Sequence, residues 1–434
     1  MIGMAKVEAS VPTSGSERMA RFWATLGPGL LWAAAAIGVS HLVQSTRAGA
    51  DGGFSLVWIV LVALIVKYPF FEYGPRYAAA TGESLVEGYY RLGRWAVWTY
   101  LIITLASAVI IQAAVTLFTA FVFANVLGVD WSMAVMGAVV LTGCGLLLGI
   151  GRFEALDKTI KAVLLVLAIC TIIAAVSTIP RASEAIFTPW PVADTPNIHW
   201  VFILALVGWM PSAIDISVWS SLWTLAKDKS TGVKASVGDA LLDFRIGYFG
   251  TGFIALSFLT LGATVMFAAD ERFSPQGAAF SLQLVDLYSA TLGAWARPVI
   301  LIAVLTTMFS TTLTVMDGFP RAISRSFRVL QHGIEEWPAR EQTGRGYWVV
   351  LITISVLTVL VFQFFAGNLT TMVDFATLVA FVTAPVLGYL NLKAVTMGTV
   401  PEQFQPGPRL RRFSNFGLIL MGGIALIFVV SLVL

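Results

Sequence analysis

The sequence predicts an all-α integral membrane protein with eleven transmembrane helices, ten of which form two inverted repeats of five. Three observations predict this fold class. Of the 434 residues, 58% are hydrophobic and only 12% are charged, whereas soluble domains carry about 25% charged residues. Apolar segments of membrane-spanning length recur along the whole chain. The first and the sixth of these segments are interrupted by polar or helix-breaking residues.

The number and orientation of the spans follow from hydropathy and charge. Apolar segments lie at roughly 22–50, 54–75, 96–125, 131–150, 159–179, 200–226, 246–269, 296–318, 347–366, 372–395 and 415–434. With a cytosolic N-terminus, 22 of the 27 Lys and Arg residues lie on the cytosolic side and four lie outside. This asymmetry fits the positive-inside rule. The sequence therefore predicts a protein of the cell (inner) membrane with its N-terminus in the cytosol and its C-terminus outside.

These spans predict a simple domain organisation. Residues 1–21 form a cytosolic tail, because they are polar and no cleavage site follows them. Residues 22–179 form the first repeat and residues 200–395 the second, separated by a Pro-rich outer loop at 180–199. Residues 396–434 supply a loop and the last span.

The first span changes character half-way along. It begins as an apolar helix, but Gly38-Val39-Ser40-His41 then brings a flexible residue, a hydroxyl and an imidazole to mid-depth, and Gln44 follows. Polar groups at this depth are tolerated where they face protein or a water-filled cavity. The sequence therefore predicts a broken helix that forms half of a substrate site.

The sixth span carries a second interruption. Pro211 lacks a backbone donor and clashes with the preceding turn, so an unbroken helix is not expected. Asp215 and several serines follow it. Because each repeat has an odd number of spans, the repeats run in opposite directions and their two breaks meet near the midplane. Secondary transporters commonly bind their substrates at such a point.

Several motifs resemble the Nramp family of proton-coupled divalent-metal transporters. They are Gly27-Pro28-Gly29, Ala48-Gly49-Ala50, Gly53-Phe54, Met210-Pro211 and the stretch 310–319 (STTLTVMDGF). The resemblance implies a LeuT-type fold, alternating access, and symport of a divalent metal cation with protons. Mg²⁺ or Mn²⁺ would be the substrate, and no cofactor would be needed.

The family's site motifs are altered in this chain. Its metal-binding Asp-Pro-Gly-Asn falls on Gly38, Val39, Ser40 and His41, and its Met falls on Met210. Two family histidines fall on Ser212 and Ser217, and a polar residue of span ten falls on Thr377. The predicted substrate-binding residues are therefore Gly38, Val39, Ser40, His41, Gln44, Val207, Met210, Pro211, Ser212 and Thr377.

His41 and Met210 are the candidate metal ligands of this altered site. Each also has a simpler interpretation: His41 as a packed histidine bonded to a carbonyl that the break has freed, and Met210 as a core gap-filler. On an ideal helix Asp215 would point about 140° away from Met210, so the two are not expected to share one ion.

Charged and polar residues near the breaks are predicted to take part in coupling or gating. They are Asp215, Ser217, Lys67, Glu72, Arg76, Asp317 and Asp374. Lys67, Glu72 and Arg76 share one face of the second span and predict an internal salt-bridge network. Asp374 is expected outward of the site and Asp317 inward.

The substrate itself stays open at the level of sequence. A divalent cation is implied by the resemblance, while the loss of the acidic ligand also allows a small anion or zwitterion. A non-transporting sensor built on a transporter scaffold is a third interpretation. The sequence carries no catalytic motif, and its partners are expected to be the lipid bilayer and a small ion or polar solute, not nucleic acid.

Overall fold

A computed structural model describes residues 26–150, 153–181, 199–334, 344–365 and 368–432. Within these ranges the chain is helical almost throughout and has no β-strand. The predicted cytosolic tail at 1–21 and most of the predicted outer loop at 180–199 lie outside the described residues.

The α-helices of the described residues follow one another with short connections. In chain order they are α1 (Pro28–Ala36), α2 (Thr46–Gly52), α3 (Val57–Thr81), α4 (Leu85–Leu92), α5 (Arg94–Leu127), α6 (Met133–Ile150), α7 (Phe153–Thr178), α8 (Trp200–Gly208), α9 (Ile216–Thr231), α10 (Val237–Leu261), α11 (Gly277–Leu292), α12 (Ala296–His332), α13 (Arg345–Phe365), α14 (Leu369–Val395) and α15 (Pro408–Ser431).

Eight helices of the described residues are long and apolar enough to cross a membrane. They are α3, α5, α6, α10, α12, α13, α14 and α15. The other three predicted spans are the interrupted segments α1–α2 and α8–α9, together with α7, whose shorter apolar part is Leu164–Thr178. The chain is therefore a multi-pass membrane protein, and the total of eleven crossings stays a prediction.

Burial separates central helices from peripheral ones. The most apolar stretches of α3, α5 and α12 are 61–67% buried, whereas those of α6, α13 and α15 are only 28% buried. Apolar side chains on the outer faces of the peripheral helices, such as Ile419 and Leu146, are exposed, which suits contact with lipid chains. The interrupted segments lie inside this arrangement, packed against α3, α10, α12 and α14.

The predicted break in the first span is confirmed. Helix α1 ends at Ala36, Ile37 and Gly38 leave the helical path, and the chain resumes as a π-helix over Ser40–Ser45 before α2. Side chains satisfy the carbonyls that the break exposes. Ser40 Oγ donates to Ala36 O at 2.6 Å. The single hydroxyl hydrogen of Thr311 has three carbonyl oxygens within reach, Ala34 O at 3.2 Å, Ile37 O at 3.3 Å and Thr307 O of its own helix at 3.0 Å.

The predicted break in the sixth span is confirmed as well. Helix α8 ends at Gly208, and α9 begins at Ile216 after a non-helical segment that contains Pro211. Gly208 packs directly against α14, where a Cβ would lie 1.9 Å from the carbonyl oxygen of Thr377. The half-helix α8 can approach α14 this closely only because residue 208 has no side chain.

Helix α1 is held in place by aromatic rings and by a close backbone contact. Trp32 is fully buried, and its ring lies 5.3 to 5.6 Å from the rings of Phe71, Phe244 and Tyr248. Gly29 lies against α10 so closely that a Cβ would be 2.2 Å from Asp243 O. The Gly-Pro-Gly sequence at the start of α1 therefore permits tight packing between α1 and α10.

Candidate functional site

A small buried cavity lies between the two breaks. Its volume is about 40 Å³, room for roughly two or three water-sized particles. Helices α5 and α12 close its sides. Its lining residues are Ala35, Ala36, Val39, Ser40, Ile111, Val115, Trp209, Ser212, Ala213, Asp215, Ile216, Trp219, Thr311 and Val315.

Apart from the indoles of Trp209 and Trp219, the polar side chains of the cavity are three hydroxyls and one carboxyl. Ser40 comes from the first break, Ser212 and Asp215 come from the second, and Thr311 comes from α12. Asp215 is only 5% exposed and is the one acidic side chain among the described residues that line the cavity. A buried carboxylate next to hydroxyls can bind a small cation through oxygen atoms, as hard cations prefer.

Thr311 occupies the space beside Gly38. A Cβ built on Gly38 would lie 2.7 Å from Thr311 Cγ2 and 2.8 Å from its Oγ1. The Thr311 hydroxyl oxygen also lies within hydrogen-bond distance of the carbonyls of Ala34, in the last turn of α1, and Ile37, at the start of the break. A side chain at position 38 would therefore displace Thr311. In this protein the threonine fills the volume that such a side chain would occupy.

The structure does not place His41 and Met210 at the cavity. His41 is fully buried, with Nδ1 2.7 Å from Ser40 Oγ and Nε2 3.0 Å from the carbonyl oxygen of Thr251 on α10. Met210 packs among apolar side chains that include Phe202 and Leu259. No group of three or more His, Cys, Asp or Glu in the described ranges could hold a metal ion. Both residues are packed inside the protein, as their simpler interpretations have it, although the carbonyl that His41 Nε2 contacts belongs to α10 and was not freed by the break.

A second polar cluster joins the first span to α14. Arg47 lies 2.8 Å from Asp374 Oδ1 and donates to the side-chain oxygen of Gln44 at 3.0 Å. Gln44 in turn donates to Asp374 and to Thr377, at 3.0 and 3.3 Å. The Arg47 guanidinium also stacks 4.6 Å from the ring centre of Phe202 on α8. We call these five residues the Arg47 cluster; it binds α2, α8 and α14 together, and none of them lines the cavity.

Comparison with known proteins assigns the chain to a family. Residues 29–431 match the model of the Nramp family, described as natural resistance-associated macrophage protein-like. The chain belongs to the Nramp family. It is 34% identical to an uncharacterized protein of Pasteurella multocida, over 94% of this chain and 92% of that protein. Members of this family are membrane transporters, so the protein is a transporter and not an enzyme.

Solved structures confirm the LeuT-type fold of this Nramp protein. A manganese transporter of Eremococcus coleocola superposes with a TM-score of 0.69 at 13% identity, covering 99% of this chain and 91% of that one. MhsT, solved in complex with L-phenylalanine, superposes with a TM-score of 0.60 at 13% identity, covering 93% of this chain and 98% of that one. At these identities the likeness concerns the fold alone.

The predicted substrate-binding residues of this Nramp protein fall into two groups. Val39, Ser40 and Ser212 line the cavity. The other seven are not among its lining residues and lie in three settings. Gly38 and His41 pack against α12 and α10, Gln44 and Thr377 belong to the Arg47 cluster, and Val207, Met210 and Pro211 lie outside the cavity lining.

The predicted salt-bridge network of the second span is only partly present, so that prediction needs correction. Glu72 pairs with Arg76 on the next turn, and Arg245 Nη2 lies 3.8 Å from its other oxygen. Lys67 points elsewhere and donates to backbone carbonyls of the sixth span. The spacing of five residues between Lys67 and Glu72 turns the lysine toward α8, away from the acid.

The remaining coupling candidates bond to neighbouring helices. Asp317 accepts hydrogen bonds from Arg321 at 2.6 Å and from Tyr347 at 2.8 Å, which ties α12 to α13. Ser217 accepts from Asn391 of α14 at 2.7 Å. Asp374 belongs to the Arg47 cluster, and only Asp215 of this group lines the cavity.

Sequence reasoning missed the cavity residues that come from regular helical stretches outside the two non-helical segments. Thr311 and Val315 come from α12, Ile111 and Val115 come from α5, and Trp219 comes from α9. The absence of a side chain at Gly38 is a signal that something else fills that space, and the threonine-rich stretch 310–314 was the available candidate. The apolar members carry no signal that distinguishes them from lipid-facing residues.

Proposed function

We propose that this Nramp protein is a secondary transporter that carries a small divalent cation, Mg²⁺ or Mn²⁺, by alternating access through the cavity between the two breaks. The observation that carries the proposal is the position of Asp215, an acidic residue that lines the cavity together with Ser40, Ser212 and Thr311. The acidic ligand would then come from the sixth span. The family motif, in contrast, places the acidic ligand in the first span.

The composition of the cavity favours a hard cation. All its polar side chains apart from two tryptophans are oxygen donors, and the thioether of Met210 packs outside it. Oxygen ligands suit Mg²⁺ and Mn²⁺, whereas thioethers favour softer metals. Mg²⁺ keeps several of its waters and needs few direct protein ligands. The volume of about 40 Å³ suits an ion with one or two waters better than a larger organic solute.

Binding and uptake by the purified protein in proteoliposomes test this proposal. We expect saturable binding and uptake of Mg²⁺ or Mn²⁺ by the wild type, and at least a tenfold loss of affinity in Asp215→Asn, which keeps the shape of the side chain and removes its charge. Asp286→Asn is the matched control, because Asp286 is half-exposed on α11 and pairs only with Arg297 among the described residues. Unchanged cation affinity in Asp215→Asn would refute the site.

One observation favours a small anion or zwitterion as the substrate. The indole N–H groups of Trp209 and Trp219, which belong to two lining residues, have no acceptor within the described part of the chain. A carboxylate or similar oxyanion could accept from both, and an ammonium group could contact Asp215. Uptake of glycine or a small oxyanion, without uptake of Mg²⁺ or Mn²⁺, would support this function. Binding of one of these solutes or ions without any uptake would support the third interpretation, a non-transporting sensor.

The membrane topology and the repeat boundaries belong to the same proposal. The N-terminus would be cytosolic and the C-terminus outside, with 22–179 and 200–395 as inverted repeats. The charge asymmetry of the loops supports this orientation. A reporter that is active only in the cytosol, fused to either end, tests it: activity is expected at the N-terminus and not at the C-terminus.

A further inference from the structure

Lys67 lies in the middle of α3 and is almost completely buried, with 1% of its surface exposed. Its ammonium nitrogen donates to three backbone carbonyl oxygens: Val207 O and Gly208 O at 3.0 Å each, and Ser212 O at 2.6 Å. A lysine ammonium carries three protons. Each of them therefore has an acceptor, and all three acceptors belong to the sixth span.

These carbonyls mark the place where a helix ends inside the protein. Val207 and Gly208 are the last residues of α8, and Ser212 lies in the non-helical segment that follows. The final carbonyls of a helix lack partners within the helix and carry a partial negative charge. In transporters with broken helices, such half-helix ends and unwound carbonyls coordinate the coupling cation. The α8 end is thus built like a cation site, with Lys67 Nζ at its centre.

Charge around Lys67 supports the same reading. Asp215 follows Ser212 by three residues and attracts the ammonium electrostatically. The ring of Phe71 lies 5.7 Å from Lys67 Nζ and adds a cation–π contact. A charge at such depth needs partners of this kind, because an unpaired one would cost several kcal/mol. Glu72, although it lies on the same helix, is paired with Arg76 instead.

We propose that Lys67 is a tethered cation that occupies the carbonyl end of α8 in place of a mobile monovalent metal ion. The protein then needs no Na⁺ or K⁺ to hold the sixth-span break together. Because the ammonium is fixed to α3, it also links α3 to the end of α8 and to the non-helical segment that follows it. This inference goes beyond the proposed function and holds whatever substrate enters the cavity.

The test compares full-length wild type with Lys67→Ala and Lys67→Met in buffers of NaCl, KCl or N-methyl-D-glucamine chloride. The measurements are ²²Na⁺ binding and the thermal unfolding temperature. We expect no saturable ²²Na⁺ binding to the wild type and the same unfolding temperature in all three salts. The variants expose three carbonyls, so we expect about one ²²Na⁺ site per molecule and an unfolding temperature at least about 2 °C higher in Na⁺ than in N-methyl-D-glucamine.

Two further variants separate charge from structure. Lys67→Arg keeps the cation and is expected to behave like the wild type. Lys393→Ala removes an exposed lysine from the end of α14 and is expected to leave Na⁺ binding absent. Saturable ²²Na⁺ binding to the wild type would overturn the proposal, and so would its absence from folded Lys67→Ala and Lys67→Met. Because neither readout uses the transported substrate, this failure is distinguishable from failure of the proposed function.

Discussion

At the scale of single residues, the site is defined by the pairing of Gly38 with Thr311. In the family motif an acidic residue stands at position 38, and here the position has no side chain. Thr311 fills the space, and its hydroxyl oxygen lies 3.2 Å and 3.3 Å from the carbonyl oxygens of Ala34 and Ile37. The missing side chain at position 38 and the position of Thr311 are therefore one packing feature, and Asp215 is the acidic residue that lines the cavity.

This pairing predicts a coupled response to mutation. Gly38→Ala places a Cβ less than 3 Å from Thr311 and is expected to destabilise the protein by about 1–3 kcal/mol through overpacking. Thr311→Ala removes the obstacle, so the double variant should lose less stability than the sum of the two singles, by about 1 kcal/mol. Thermal unfolding in detergent measures the effect.

Thr312→Ala provides the matched control for that cycle. Thr312 is the next residue of α12, but its hydroxyl lies 2.7 Å from Thr119 of α5. The loss of stability caused by Thr312→Ala should therefore simply add to the loss caused by Gly38→Ala, with no coupling energy between the two substitutions. Equal coupling energies for Thr311 and Thr312 would show that the two substitutions act through a general loosening of α12.

At the scale of elements, the side-chain carboxylate of Asp243 on α10 forms hydrogen bonds with the N-terminus of α1. Asp243 Oδ2 accepts from Gly29 N at 2.6 Å, and its Oδ1 accepts from Gly27 N at 3.2 Å. A carboxylate in this position satisfies N–H groups that the helix leaves unpaired and interacts favourably with the helix dipole. Half-helix α1 is thus fastened at the end opposite the break.

Removing this carboxylate should loosen α1 while the rest of the bundle stays folded. We expect Asp243→Ala to cost about 1–2 kcal/mol, as the loss of a cap does. Hydrogen exchange of residues 28–36 should accelerate more than that of α12. Glu402→Ala, which removes an exposed acid, should leave exchange in α1 unchanged. Uniform acceleration across all helices would contradict a local role.

The elements show why part of the fold could be predicted and part of the site could not. Gly38 and Pro211 act on their own backbone, so the sequence was sufficient to locate both breaks. The direction of each side chain in an unwound segment depends on φ and ψ values that no helical periodicity supplies. The prediction that Asp215 points about 140° away from Met210 assumed 100° per helical residue. It does not apply, because the segment between these two residues is not helical. Asp215 lines the cavity, and Met210 packs among Phe202, Leu206 and Leu259.

At the scale of the whole molecule, the Arg47 cluster and the Asp243 cap fasten the two ends of the broken first span to different helices. The cluster joins α2 to α14, and the cap joins α1 to α10. Alternating access requires that the two sides of the cavity open in turn. In the proposed topology the Arg47 cluster lies on the outer side and the cap on the cytosolic side, so each is placed to restrain one opening.

This arrangement predicts a directional effect of Arg47→Ala. The Arg47–Asp374 pair is partly buried, with side-chain exposures of 14% and 26%, and its loss should weaken the outer closure by about 1 to 2 kcal/mol. The outward-open population should then rise on the order of tenfold. Ser212→Cys, in a background without Cys144 and Cys170, reports this opening through its reaction with a membrane-impermeant thiol reagent.

The side of the membrane from which the thiol reagent reacts distinguishes the possible outcomes. In proteoliposomes of known orientation, Arg47→Ala should accelerate labelling of Cys at position 212 from the C-terminal side only. Arg297→Ala, which breaks an exposed pair with Asp286 on the same predicted side, should leave the rate unchanged because neither residue of that pair lines the cavity. Acceleration from the N-terminal side would show that the predicted orientation is wrong. Equal rates for wild type and Arg47→Ala would show that the cluster holds the helices together without controlling access to the cavity.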